Sequence, residues 1–172
     1  MAQVTIRAAR ENDLPQILDI YNEAILNTTA VYDYTAHTLP MRQAWFAAKQ
    51  ADGFPVLVAE LEGQVAGFAS LGTFRHWDAY RYTAENSLYV ASSYRGQGVG
   101  QLLLTHLLAT AQAMNLHAIV AGIDADNQVS LHLHRKHGFQ EVAHFRQVGY
   151  NFDIWLDLKF MQMILGNGGS AT

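Results

Sequence analysis

Three glycines, Gly96, Gly98 and Gly100, alternate in the run Arg95-Gly96-Gln97-Gly98-Val99-Gly100. With no side chains at those positions, backbone N–H groups can approach a ligand closely. The apolar spacing that follows predicts a helix. A helix starting here aims its unpaired N–H groups and its positive dipole end at the same spot. The combination is an anion site, suited to a phosphate or pyrophosphate. Upstream lies Ala84-Glu85-Asn86-Ser87-Leu88-Tyr89-Val90. A carboxylate in such a stretch is costly without a role or a partner. Glu85 is therefore either a base or ligand for a substrate amine, or the salt-bridge partner of Arg75 or Arg81. Strand alternation puts Glu85, Ser87 and Tyr89 on one face.

Several phosphate loops compete for the glycine run. A nucleotide P-loop needs Gly-Lys-Ser/Thr, but Gln101 and Leu102 follow Gly100, so that reading fails. A dinucleotide loop wants Gly-x-Gly-x-x-Gly and an acid at the end of the next strand. Asp124 supplies the acid, but the third glycine comes one place early. An ordinary strand-to-helix turn with incidental glycines is also open.

The elements that must position these groups can be read from periodicity. Residues 84–114 form a strand, a turn and a helix whose apolar stripe is Val99, Leu102, Leu103, Leu107, Thr110 and Met114. Residues 4–8 alternate as a strand. A helix follows, capped by Asn12 or Asp13, with Leu14, Ile17, Leu18, Tyr21 and Ile25 at helical spacing. After a polar-aromatic loop with Tyr32 and Tyr34, Pro40 begins a second helix that Asp52-Gly53 ends. Residues 55–59 and 65–71 are strands joined by a hairpin at 61–64. Residues 74–82 are dense in aromatics and cations, and form either a cover for the sheet ends or a substrate wall. A buried strand runs over 117–123, and a short helix over 130–136 is stopped by Gly138. Residues 139–148 and 150–164 close the chain as paired strands turning at Gly149. The order predicts an α/β (α+β) fold, a mixed sheet with helices on both faces.

Composition sets bounds. With 172 residues, half of them hydrophobic and 15% charged, the chain suits one folded domain over 1–165, and the glycine-rich tail 166–172 is expected to fray. A net charge of −4 without a basic tract argues against a nucleic-acid surface. The absence of cysteine excludes disulfides, thiolate metal sites and a thiol nucleophile. His132, His134 and His137 cluster, but His132 and His134 point to different helix faces, so no metal is expected. Without a long apolar run or a leader, a cytoplasmic protein with no membrane contact is expected.

The loop Arg95-x-x-Gly98-x-Gly100 resembles the pyrophosphate loop of the GNAT superfamily of N-acetyltransferases. A second segment, Asn127-x-x-Ser130-x-x-Leu133-His134-x-x-x-Gly138-Phe139, is similar to the Asn-x-x-Ala/Ser-x-x-Leu-Tyr-x-x-x-Gly-Phe segment of that family. Scattered matches extend the resemblance from Val4 to about Leu165. They include Tyr21-Asn22, Thr28-Thr29-Ala30, residues 85–90, residues 120–123, Gln147-Val148-Gly149 and residues 155–158. They point to the branch that acetylates phosphinothricin, methionine sulfone and methionine sulfoximine. The resemblance implies a mostly antiparallel central sheet, acetyl-CoA as co-substrate and a homodimer. It also implies that the backbone at Leu88, Tyr89 and Val90 binds the pantetheine arm. Gly96, Gln97, Gly98, Val99, Gly100 and Gln101 would take the pyrophosphate, with Asn127 and Lys136 completing the CoA site. Arg75, His76, Trp77, Glu85, Asn86 and Ser87 would face a small amino-acid substrate.

Amide formation from a thioester needs a neutral amine, so a base must remove a proton. Glu85 fits that role. A strand N–H near Val90 could stabilise the tetrahedral oxyanion. Relatives carry Tyr where this chain has His134, which keeps a group able to protonate the leaving thiolate. His134 is either that acid or an uninvolved surface residue. Without a cysteine to carry the acetyl group, transfer is expected to be direct, in a ternary complex. Protein N-terminal or polyamine acetylation, a non-catalytic acyl-CoA sensor and a dinucleotide-binding oxidoreductase are the alternative functions.

Overall fold

Alternation along the strands decides the layers. In the computed structural model, which describes residues 3–166, the elements run in chain order. They are β1 Thr5–Ala8, α1 Leu14–Asn27, α2 Leu39–Ala51, β2 Val56–Leu61, β3 Gln64–Thr73 and β4 Thr83–Val90, then α3 Val99–Ala113, β5 Ala118–Asp124, α4 Gln128–Lys136, β6 Gln140–Asn151 and β7 Ile154–Ile164. The tail read as frayed lies, from residue 167 on, outside the described residues. The strands form one seven-stranded sheet in the order β1-β2-β3-β4-β5-β7-β6. Every pairing is antiparallel except β4 with β5. This is the mixed, mostly antiparallel α/β sheet that the sequence implies.

On one face, Ala84, Leu88 and Val90 of β4 pack with Val99, Leu103, Leu104 and Leu107 of α3. On the other, Tyr89 and Phe68 pack with Leu14 and Ile17 of α1 and Phe46 of α2. Each fully buried Leu or Phe contributes about 1.5–3 kcal/mol. The α3 stripe sits differently from its sequence reading. Val99, Leu103, Leu104, Leu107, Leu108 and Ala111 are the buried residues, whereas Leu102 is 37% exposed. Gln101, Thr105, His106 and Gln112 mark the exposed side, so the buried face takes in Leu104, Leu108 and Ala111, which the sequence reading left out, and turns Leu102 toward solvent.

Local signals set the ends. Thr38 caps α2 by accepting from the Met41 N–H at 3.4 Å, with a proline in the first turn. Glu62 and Gly63 turn the β2–β3 hairpin with φ of 52° and 78°, the left-handed pair that tight hairpins use. The β6–β7 turn lies at Phe152 and Asp153, with φ of 49° and 59°, and not at Gly149. Gly149 belongs to β6, opposite Leu156. Its reason is space: a Cβ there would lie 2.8 Å from the Tyr32 ring. The true turn contains no glycine, so composition drew the reading to the wrong residue.

Candidate active site

The β4–β5 pairing stops early, and that creates the site. The strands are in register at Thr83↔Ala118, Ala84↔Ile119 and Glu85↔Val120, then part. β3 keeps pairing with β4 to Val90, and β7 with β5 to Asp124. Residues 86–90 therefore present a strand edge with no strand on the β5 side. The cleft between them, about 150 Å³, is lined by residues 85–89 and 121–124, and by Asn127, Ser130 and His134. An extended chain with amide groups can pair along such an edge.

The glycine turn stands at the end of this edge. Gly96 and Gly98 have φ of 74° and 82°, conformations that side-chain-bearing residues rarely adopt. Gly98 is the N-cap of α3. Gly100 differs: its φ is ordinary, and a Cβ would make contacts of 3.4 to 3.7 Å with Leu133, Leu88 and Val90. Val99, Gly100 and Gln101 occupy the first turn, where N–H groups lack intrahelical acceptors. Lys136 Nζ donates to Gln101 Oε1 at 2.9 Å, which brings a cation to the helix N-terminus. Gln97 Nε2 donates to the Ser93 carbonyl at 3.0 Å. Arg95 fixes the turn by donating to the Val90 carbonyl at 3.1 Å and pairing with Glu23 at 3.1 Å.

Glu85 faces the cleft on the α1/α2 side of β4, with Ser87 and Tyr89. No ion pair or hydrogen bond reaches its carboxylate among the described residues. Burial raises its pKa above the ordinary carboxylate value, partly opposed by Arg75 and Lys49. Arg75 is thus near enough to act on Glu85 through charge, while its guanidinium lies 5.3 Å over Phe74. His76 and Trp77 are exposed, Trp77 at 71%, and neither lines the cleft.

On the opposite face of β4, Asn86 meets α4. His134 is buried at 3% exposure. Its Nδ1 lies 2.8 Å from the Ser130 carbonyl, which can only accept, so Nδ1 carries the proton. Nε2 then accepts from Asn86 Nδ2 at 3.1 Å. Burial lowers the pKa of this ring, so the imidazole is neutral and Nε2 holds a lone pair. Asn86 Oδ1 is buried without a partner among the described residues. Asn127 caps α4 through Oδ1, accepting from the Ser130 N–H at 3.1 Å.

Asp124, the acid that a dinucleotide reading requires, is 5% exposed. It accepts from the Asp126 N–H and the Tyr32 hydroxyl, both at 2.9 Å. These two bonds tie it to the turn after β5 and to the α1–α2 loop.

Residues 14–139 match the model of the Acetyltransferase (GNAT) family. The chain belongs to the GNAT acetyltransferase family. It is 46% identical to the L-methionine sulfoximine/L-methionine sulfone acetyltransferase of Pseudomonas paraeruginosa, over 97% of this chain and 98% of that one. Among solved structures, yncA from Salmonella typhimurium, determined with its cofactor acetyl-CoA, superposes with a TM-score of 0.95 at 41% identity, covering 99% and 98% of the two chains. A ribosomal-protein-alanine N-acetyltransferase from Brucella melitensis reaches 0.92 at 49% identity, over 94% and 99%.

Two features of this acetyltransferase escaped sequence reasoning. The α1–α2 loop closes over the cleft end: besides the Tyr32 contacts, Tyr34 Oη donates to the Tyr150 carbonyl at 2.5 Å. The second is Arg42, 2% exposed on α2, with Lys49 a helical stretch further on. Their only signal in the sequence was a pair of cations on an otherwise amphipathic helix, which reads as a solvated face. Among the described residues no helix is long and apolar enough to cross a membrane, and no three His, Cys, Asp or Glu side chains gather as metal ligands.

Proposed function

We propose that the chain, as a single domain over residues 1–165, transfers the acetyl group of acetyl-CoA to the α-amino group of a small amino acid of the methionine sulfone or sulfoximine type. The observation that carries this is an unpaired, half-buried carboxylate, Glu85, at the point where β4 and β5 separate. The diphosphate sits on the amides of residues 96–101 with Lys136 beside it. The pantetheine arm pairs with the edge of Leu88, Tyr89 and Val90, and Asn127 lines its path. The thioester then arrives beside Glu85 and Ser87.

Glu85 takes a proton from the substrate ammonium, directly or through water, and burial, by raising its pKa, makes it a stronger base than an ordinary carboxylate. Arg75 offers its charge to the substrate carboxylate. His76 and Trp77 form the exposed rim. His134, neutral and hydrogen-bonded through Nε2, fixes the Asn86 amide beside the cleft.

The chain acts as a homodimer, a reading supported by the apolar β6–β7 surface. It works in the cytoplasm, where acetyl-CoA is available. The Brucella relative favours a second reading, acetylation of a protein N-terminus. A panel of methionine sulfone, methionine sulfoximine, phosphinothricin, ordinary amino acids and an alanine-ended peptide, followed by free-CoA release, separates the two. Glu85→Gln is expected to lose about 10²–10⁴-fold in turnover while acetyl-CoA still raises Tm. Equal turnover in Glu85→Gln would remove the carboxylate from the mechanism.

A further inference from the structure

A second cavity, about 190 Å³, opens beneath α2 on the Glu85 face of β4, and Ser87 and Tyr89 line both it and the cleft. It holds two cations and no anion. The Arg42 guanidinium stacks 3.9 Å from the centre of the Tyr21 ring and 4.6 Å from that of Trp45. One terminal nitrogen donates to His37 Nδ1 at 3.2 Å. Its Nε is buried with no partner among the described residues. Lys49 Nζ donates to the Leu71 carbonyl at 2.6 Å. Among the described residues, neither cation forms an ion pair with a carboxylate.

Aromatic faces offset a buried charge in part, but no carboxylate among the described residues pairs with it. A buried cation without a counter-charge is costly, and Arg42 repels the half-buried Lys49 that lines the same cavity. A ligand bearing acceptor oxygens relieves both. The remaining walls say what carries those oxygens. Met41, Trp45 and Phe68 are apolar, while Ser70 and Ser87 add hydroxyls. At about 30 Å³ for a water-sized group, the cavity holds roughly six non-hydrogen atoms.

We propose that this cavity receives the substrate's side chain, and that Arg42 and Lys49 select a side chain whose tip bears strong acceptors, a sulfone, sulfoximine or phosphinate on a methylene stem. This rests on the amino-acid acetyltransferase reading above. The amine meets Glu85 in the cleft, the α-carboxylate stays toward Arg75, and the side chain passes Ser87 into the cavity.

The test compares kcat/KM for methionine sulfone with that for norleucine, which has the stem without the oxygens. Lys49→Met and Arg42→Gln remove the donors. Gly72→Ala moves one without altering a lining residue, because a Cβ there would lie 2.4 Å from Lys49 Nζ. If Arg42→Gln fails to fold, the other two variants carry the test. The sulfone-to-norleucine ratio should fall about 10-fold or more in each, as expected for losing a hydrogen bond to a charged group. The acetyl-CoA-induced rise in Tm should persist. An unchanged ratio in Lys49→Met and Gly72→Ala overturns the assignment and leaves the acetyltransferase reading standing.

A wild-type protein that turns over no free amino acid sinks that parent reading instead. The cavity is then judged by binding of methionine sulfone to the CoA-loaded protein. A Tm rise that Lys49→Met abolishes supports the assignment. No rise in the wild type, or the same rise in Lys49→Met, overturns it.

Discussion

Glu85 is held by burial rather than by a partner, and its protonation state should govern the pH dependence. Its pKa is raised, with burial as the largest cause and Arg75 and Lys49 opposing. The base form is lost as pH falls, so the acid limb of kcat/KM should lie above the ordinary carboxylate range. Arg75→Ala removes an opposing cation and should move that limb to still higher pH. A limb that stays put would separate Arg75 from Glu85. The same burial has a stability consequence. A carboxyl whose folded pKa exceeds its unfolded value destabilises the fold once pH rises through both. Glu85→Gln should therefore raise Tm near neutral pH, and the gain should vanish in acid. His134 offers a contrast. As a neutral ring holding Asn86, its replacement in His134→Gln should leave the alkaline limb of kcat in place while KM for acetyl-CoA rises. Loss of that limb would instead make the imidazole the acid that protonates the thiolate.

At the scale of elements, glycines that look alike in the sequence do different work. Gly96 and Gly98 are required by backbone conformation, with φ of 74° and 82° and open space around them. Gly98→Ala should cost about 1–3 kcal/mol in left-handed strain or else shift the turn. Either outcome should raise KM for acetyl-CoA more than it lowers Tm, measurable by initial rates beside a thermal melt. Gly149 is required by a neighbour. A Cβ would press on the Tyr32 ring at 2.8 Å, and Tyr32 links to Asp124 at 2.9 Å and the Asp157 carbonyl at 3.0 Å. Gly149→Ala should thus loosen the α1–α2 loop, seen as faster amide exchange in residues 28–38 with the sheet unchanged.

The whole molecule leaves its longest strand at an edge. β6 ends the sheet order, and it and β7 expose Val142 at 55%, Phe145 at 47%, Val148 at 54%, Ile154 at 51% and Trp155 at 61%. A long apolar edge is an aggregation hazard unless something covers it. A second copy of the chain is the cover that the dimer reading supplies. Phe145→Glu with Trp155→Glu should shift the light-scattering mass from two chains to one without loss of helix and strand signal. A wild-type mass of one chain would leave the surface for a different partner.

Local chemistry made much of this legible from the sequence. Period-two and period-3.6 patterns gave strands and helices, glycine spacing gave the left-handed turn before α3, and a lone carboxylate in a strand gave the residue at which β4 and β5 part. These features depend on near neighbours in the chain, which a sequence displays directly. The tertiary structure decided the rest. It set the buried face of α3 on Leu103, Leu104, Leu107, Leu108 and Ala111, because leucines at 102, 103 and 104 offer more than one apolar stripe until a sheet is beside them. It ended the β4–β5 pairing at Glu85 and so opened the cleft. It also brought Arg42 and Lys49 of α2 against β3 and β4. Their charge reads as solvated in the sequence, and only contact between distant strands and helices could show that Arg42 is buried and Lys49 half-buried.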